Sequence, residues 1–140
     1  MYAIIVGCGR VGSSMAKQLV AEGHDVVVID EDPGAFKLLG EDFPGRRMVG
    51  AAIDWDVLRE AGIEGADAFA AATDGDNANV VSALIAARAF EVPCSVARVY
   101  DPNRAKAFMN LGIRTVCPTD KTHTMMVDEV HTCPAAETED

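Results

Sequence analysis

The chain opens on a continuous β-prone run, Tyr2-Ala-Ile-Ile-Val6, which breaks directly into Gly7-Cys-Gly9-Arg-Val-Gly12 and then into a helical pattern. An apolar run without alternation is what a parallel strand buried on both faces requires. Gly7 allows a tight turn out of that strand. Gly9 lets the backbone approach an anionic group, and Gly12 lets the following helix pack closely on the strand. The first N–H groups of that helix lack partners and sit at the positive end of its dipole, so the turn suits phosphate. Asp30 closes a second buried run, Asp25-Val-Val-Val-Ile-Asp30, about 20 residues beyond the motif, where a carboxylate accepts ribose hydroxyls. A carboxylate there repels a 2′-phosphate, which favours NAD(H) or an adenine nucleotide such as ADP or ATP over NADP. Glu31 and Asp32 push the same way, or serve simply as helix-start residues.

The same grammar continues along the chain. A helix is expected from Arg10 to Glu22, with Val11, Met15, Leu19 and Val20 on one face and Gly23 as its stop. Asp32-Pro33 opens a short helix carrying Phe36, Leu38 and Leu39. Arg47 to Gly50 reads as a third strand, and Asp54 caps a helix through Val57, Leu58 and Ala61. Ala68 to Ala72 is a fourth strand, and the polar elbow Thr73-Asp-Gly-Asp-Asn77 feeds a long helix over Ala78–Phe90. Ser95–Val99 is a fifth strand, Asp101-Pro102 starts a helix stopped by Gly112, and Arg114–Cys117 is a sixth strand. A last helix covers Lys121–Val130. This alternation predicts an α/β domain: a doubly wound, Rossmann-like, parallel six-stranded sheet with helices on both faces, three layers in all. Residues 1–130 form the domain, and 131–140 read as an acidic, flexible tail.

Composition narrows the function. With 140 residues, one core is expected, and a nucleotide domain joined to a separate substrate domain does not fit in that length. The net charge of -10 repels phosphate backbones and anionic lipid, so no nucleic-acid partner is expected. No apolar stretch approaches the length of a membrane span, so direct membrane insertion is not expected either. Met1 runs straight into the first strand without a charged-then-apolar leader. The four cysteines show no C-x-x-C spacing, and free thiols in the cytoplasm are expected.

With these motifs in place, the chain resembles the N-terminal RCK domain (TrkA-N, regulator of K⁺ conductance), the nucleotide-binding module of Trk and Ktr potassium-uptake systems. The resemblance rests on Gly7-Cys-Gly-Arg10-Val-Gly12, Gly50-Ala51-Ala52-Ile53-Asp54, and Ala72-Thr73-Asp74-Gly75-Asp76-Asn77-Ala78-Asn79. Ala97-Arg98-Val99, Leu111-Gly112-Ile113 and Val116-Cys117-Pro118-Thr119 follow in the family's order. It implies phosphate-binding roles for Gly7, Gly9, Arg10, Val11 and Gly12, and a ribose-binding role for Asp30 with Glu31 beside it. Ala51, Ala52 and Asp54 would border the adenine, while Thr73, Asp74 and Asn77 would edge the pocket. Arg98 would offset phosphate charge, or form a surface salt bridge. The ligand implied is NAD(H) or ADP/ATP. The assembly implied is a homodimer or larger ring, held at the inner face of the membrane by a membrane-embedded potassium transporter or channel. The chain departs from the family at Ala51, where an acid usually follows the glycine, and at Thr119, where a cation-organising glutamate often stands. The family's smaller C-terminal domain is not expected within these 140 residues, and ligands of that domain are not assumed.

A non-enzymatic sensor is therefore expected, with an NAD-dependent oxidoreductase, or the cofactor-binding piece of one, as the alternative. The enzyme reading needs a proton donor beside the cofactor. Tyr2 and Tyr100 are the only tyrosines, neither in a Tyr-x-x-x-Lys pair, and His24 falls at the far end of the first helix. Cys8, at a helix N-terminus, is a candidate redox thiol or merely a tolerated small residue. Cys117, His123, His131 and Cys133 fit no standard zinc spacing, and no metal site is expected. Met125, Met126, Val127 and Val130 form an apolar patch that either joins the core or docks a partner subunit.

Overall fold

The computed structural model describes residues 1–136. Six parallel strands lie in the order β3-β2-β1-β4-β5-β6. They are β1 (Tyr2–Val6), β2 (Asp25–Asp30), β3 (Arg46–Val49), β4 (Ala68–Ala71), β5 (Cys94–Arg98) and β6 (Arg114–Val116). The helices between them are α1 (Arg10–Ala21), α2 (Trp55–Glu60), α3 (Asp76–Leu84), α4 (Pro102–Phe108) and α5 (Pro118–Thr132). This is the doubly wound, Rossmann-like order, with its switch point between β1 and β4. The direction of winding reverses there, so the connections leaving the carboxyl ends of these two paired strands run to opposite faces of the sheet and leave a crevice between them.

Strand alternation sorts the core into two halves. Ile4, Val6, Val27, Ile29, Phe69, Ala71 and Ala97 face one side, packed with Leu58, Val80, Ala83 and Ala105 of the helices. Ile5, Val26 and Val28 face the other, against Ala16 of α1 and against Leu39 and Phe43. The second half draws nothing from β4, β5 or β6. In register with Ile5 lie Ala70 and then Val96, and neither is fully buried. Val116, on the same side of β6, is exposed.

Several elements differ from the expected ones for local reasons. Pro33–Leu39 is a 3₁₀ helix, begun by the Asp32 carboxylate accepting from the Gly34 N–H at 2.9 Å. A further 3₁₀ turn, Ile63–Gly65, escapes the apolar pattern, and another, Met109–Leu111, extends α4. Strands β3 and β5 begin one residue earlier than expected, and β4 and β6 end one residue sooner. The helix expected over 78–90 begins two residues sooner and becomes a π-helix over Ile85–Ala89. Apolar periodicity does not register the wider turn, because a π-bulge shifts the helix phase by a single residue. That segment ends at Glu91, the only described non-glycine residue with positive φ, at 54°.

Helix α5 runs from Pro118 through Thr132, so His131 and Thr132, expected in the tail, form its last turn. Residues 137–140 of that expected tail lie outside the described residues. None of the residues of α5 is buried.

Glu91 occupies a left-handed conformation that carries a steric cost for any side chain with a Cβ. Its side chain is exposed and makes no described hydrogen bond. Glu91→Gly is expected to raise stability by about 0.5–1 kcal/mol, read as a higher urea midpoint with unchanged m-value.

Candidate functional site

The crevice at the switch point has a volume of about 920 Å³. Its floor is the glycine turn. The Gly7 N–H donates to the Ile29 carbonyl at 2.8 Å, tying the end of β1 to β2, and φ at Gly7 is +95°. A Cβ at Gly7 would meet the Ala72 carbonyl oxygen at 2.8 Å, and one at Gly12 would drive into the Gly7 carbonyl. The fold itself therefore demands glycine at both positions. Gly9 differs: its φ is negative, it is the N-cap of α1, and a Cβ there would meet no protein atom within 4 Å.

Asp30 forms one wall. Its Oδ2 accepts from the Cys8 N–H at 2.7 Å and its Oδ1 from the Asp32 N–H at 2.8 Å. Each carboxylate oxygen has two acceptor positions, so these bonds leave room for hydroxyl donors from a ligand. Glu31, Asp32 and Ala35 continue this wall, and Gly50, Ala51, Ala52 and Ile53 form the adjoining one.

The opposite wall is built around Asn79, which is fully buried on α3. Its Oδ1 accepts from the Thr73 N–H at 2.9 Å and from Thr73 Oγ1 at 2.6 Å. Its Nδ2 donates to the carbonyls of Thr73 and Arg98, each at 2.9 Å. One amide thus joins the exits of β4 and β5. Arg98, from the end of β5, donates through Nη2 to the carbonyls of Ala72 at 3.0 Å and Thr73 at 2.9 Å. Its guanidinium lies over the Tyr100 ring, 5.0 Å from the centroid.

Of the residues expected at the site, Gly7, Gly9, Arg10, Val11, Asp30, Glu31, Ala51, Ala52, Thr73, Asp74 and Arg98 line this crevice. Three do not. Gly12 lies beneath the turn against Gly7. Asp54 is the N-cap of α2, its Oδ1 accepting from the Asp56 N–H at 2.9 Å. Asn77 accepts from Arg104 instead of facing the crevice. Neither Asn79 nor Tyr100 was among the site residues expected from sequence. Asn79 gives only a weak signal, an amide on the buried side of a helix, and Tyr100, a loop residue after β5, gives none. Among the described residues that line the crevice there is no histidine or lysine. No three His, Cys, Asp or Glu side chains among the described residues gather to hold a metal.

Of the two readings of Cys8, a redox thiol or a tolerated small residue, burial favours the second. Cys8 is fully buried. Burial foremost, and then the Asp30 carboxylate, push its thiol above the ordinary range, against smaller opposite effects from Arg47 and Lys17. The helix dipole is outweighed because the charged form loses its hydration. Cys133 is exposed. Titration with a thiol reagent near neutral pH should give a fast phase from Cys133, abolished in Cys133→Ser. Cys8→Ser should leave that phase unchanged, with Cys8 reacting only once the chain is unfolded.

Residues 3–119 match the family model of the TrkA-N domain. The Trk system potassium uptake protein TrkA of Streptomyces coelicolor is 53% identical over 116 residues, which are 83% of this chain and 52% of that protein. The chain thus spans about half the length of that curated relative. Among solved structures, the TrkA-N domain of the inner membrane protein ybaL from Escherichia coli has a TM-score of 0.82 at 21% identity, covering 92% of this chain and 96% of that one. The Kef CTD of Shewanella denitrificans in AMP-bound form has a TM-score of 0.81 at 24% identity, covering 94% and 80%. At such identities these structures speak to the fold.

Proposed function

This chain belongs to the TrkA-N domain family, and on that footing we propose that it is the nucleotide-binding, non-enzymatic regulatory part of a potassium-uptake system. NAD(H) or ADP/ATP occupies the crevice. Gly7, Gly9, Arg10 and Val11 meet the phosphates, with Gly12 supporting the turn from beneath. Asp30 and Glu31 meet the ribose, and Ala51 and Ala52 border the adenine. Thr73, Asp74 and Arg98 face the far end, while Asp54 and Asn77 act at one remove, through the helix and loop they brace.

The observation that carries this reading is the contrast among the three glycines of the turn. The fold excludes a side chain at Gly7 and Gly12 but leaves open space above Gly9. A bare backbone at the N-terminus of a 12-residue helix, facing a crevice, is what close approach of a phosphate needs. The role in potassium uptake is carried over from the Streptomyces relative, whose name describes that system. The regulatory step is a shift between assembly states, which requires that the nucleotide favour one state over the other. The chain acts in the cytoplasm against a membrane-embedded transporter or channel subunit. Among the described residues no helix is long and apolar enough to cross a membrane.

The assembly half of the proposal has its own support. Met125, Met126 and Val130 of α5 are 67%, 64% and 66% exposed. A lone 15-residue helix is marginal in water, and burying each such side chain stabilises by about 1.5–3 kcal/mol. The half-covered sheet face over Ala70 and Val96 is apolar and lacks a helix of its own. A two-fold pair in which α5 of each copy covers apolar surface on the other resolves both exposures.

Calorimetry tests the nucleotide. Asp30→Asn keeps an acceptor for the Cys8 N–H but removes the charge, and should weaken NADH or ADP binding by about tenfold or more. Unchanged affinity, or a preference for NADP over NAD, counts against the ribose assignment. Sustained hydride turnover with small alcohols or acids would favour an oxidoreductase instead. Light scattering at micromolar concentration should give at least a dimer, with Met126→Glu shifted toward monomer. A wild type that is monomeric with and without nucleotide removes the assembly claim.

A further inference from the structure

We propose that Asp74 is a built-in competitor for the ligand's outer phosphates, held beside Arg98 so that the crevice discriminates nucleotides by the number of phosphates they carry. This rests on the reading of the crevice as a nucleotide site and deepens it.

Arg98 is 14% exposed in its side chain and is fixed on three sides. Two carbonyls hold Nη2, the Tyr100 ring lies under the guanidinium, and Asn79 anchors the Arg98 backbone. A guanidinium has five N–H donors. Here Nη2 alone makes the described hydrogen bonds, and the buried Nε has no partner among the described residues. Carbonyl partners hold the group in place without neutralising it, so Arg98 is a positioned cation on a crevice wall.

The nearest anion is Asp74, whose Oδ1 lies 3.6 Å from Nη2. Asp74 is fully exposed, on the elbow between β4 and α3. An exposed pair at that separation is weak and readily exchanged. The arrangement thus joins a rigid cation to a loosely held internal anion. A phosphate seated at the N-terminus of α1 lies on the crevice floor, served by backbone N–H groups. A second or third phosphate gains from another cation: Arg10 also lines the crevice but is exposed and makes no described side-chain bond, whereas Arg98 on the far wall is held in place by two carbonyls. Such a phosphate must displace Asp74 from Nη2 or share the guanidinium with it. AMP, with its single phosphate on the floor, does not engage this pair. ADP and ATP do.

The test is calorimetry on the whole chain with AMP, ADP and ATP. Asp74→Asn should bind ADP and ATP about two- to fivefold more tightly, the scale of one exposed charge pair, and AMP as the wild type does. Glu41→Gln, which removes the same charge from an exposed position outside the crevice, should change none of the three. Arg98→Gln should lower ADP and ATP to the affinity of AMP. If Arg98→Gln does not fold, Asp74→Asn decides alone, since an exposed loop carboxylate contributes little to folding. Equal shifts for all three nucleotides in Asp74→Asn, or no shift, overturn the proposal. A wild type that binds AMP, ADP and ATP alike leaves the crevice reading standing and overturns only this inference. A wild type that binds none of the three overturns this inference, and one that binds no NADH either removes the crevice reading as well.

Discussion

The crevice depends on one carboxylate. Asp30 accepts the Cys8 N–H with one oxygen and the Asp32 N–H with the other, and so clamps the glycine turn after β1 to the exit of β2. Two charge-assisted bonds to backbone at a half-buried site each contribute more than a neutral pair would. They set the direction in which α1 leaves the sheet and hold its N-terminus toward the opening. The same carboxylate weighs against ionisation of Cys8, which lies buried beneath it. A residue read from sequence as a ligand contact is thus equally a structural clamp.

The two walls of the crevice are built by different means. On the Asp30 side, backbone N–H groups and carboxylates predominate, in keeping with a site for hydroxyls and N–H donors. On the far side, the Asn79 amide fuses the exits of β4 and β5, and Arg98 is braced by carbonyls and an aromatic face. Asn79 meets all its bonds with partners inside the protein, as a fully buried amide must if it is not to carry a desolvation cost. The result is a wall whose positive charge is held at a fixed place in a chain of net charge -10.

Half of one sheet face and the whole of α5 remain outside this core. The helices that wind across the sheet cover β1 and β2 on the α1 side, but nothing in the described chain buries the same side of β4 and β5. Two incomplete apolar surfaces in a chain otherwise so well packed suit a unit built to associate, and an assembly that moves them would link the crevice to a partner.

The sequence by itself determined the strands, their parallel pairing, the glycine turn and the acid opposite it. These are local signals: unbroken apolar runs, glycines at strand ends and aspartates before helices are each legible within a few residues. Strand boundaries came within one residue because the apolar runs are short and sharply ended. Other features were decided only by tertiary structure. The π-turn after α3 leaves no trace in periodicity. Asp54 and Asn77 lie next in sequence to crevice residues yet turn to a helix N-cap and to Arg104. Asn79 and Tyr100 gain their places because β4 and β5 end side by side, which joins residues far apart in the chain. The place of Cys8 at a helix start left a redox thiol and a merely tolerated small residue both open, and only burial, which raises the thiol, decides between them. Local sequence carries conformational preference, whereas burial, charge balance and the choice of hydrogen-bond partner depend on which distant segments the fold brings together.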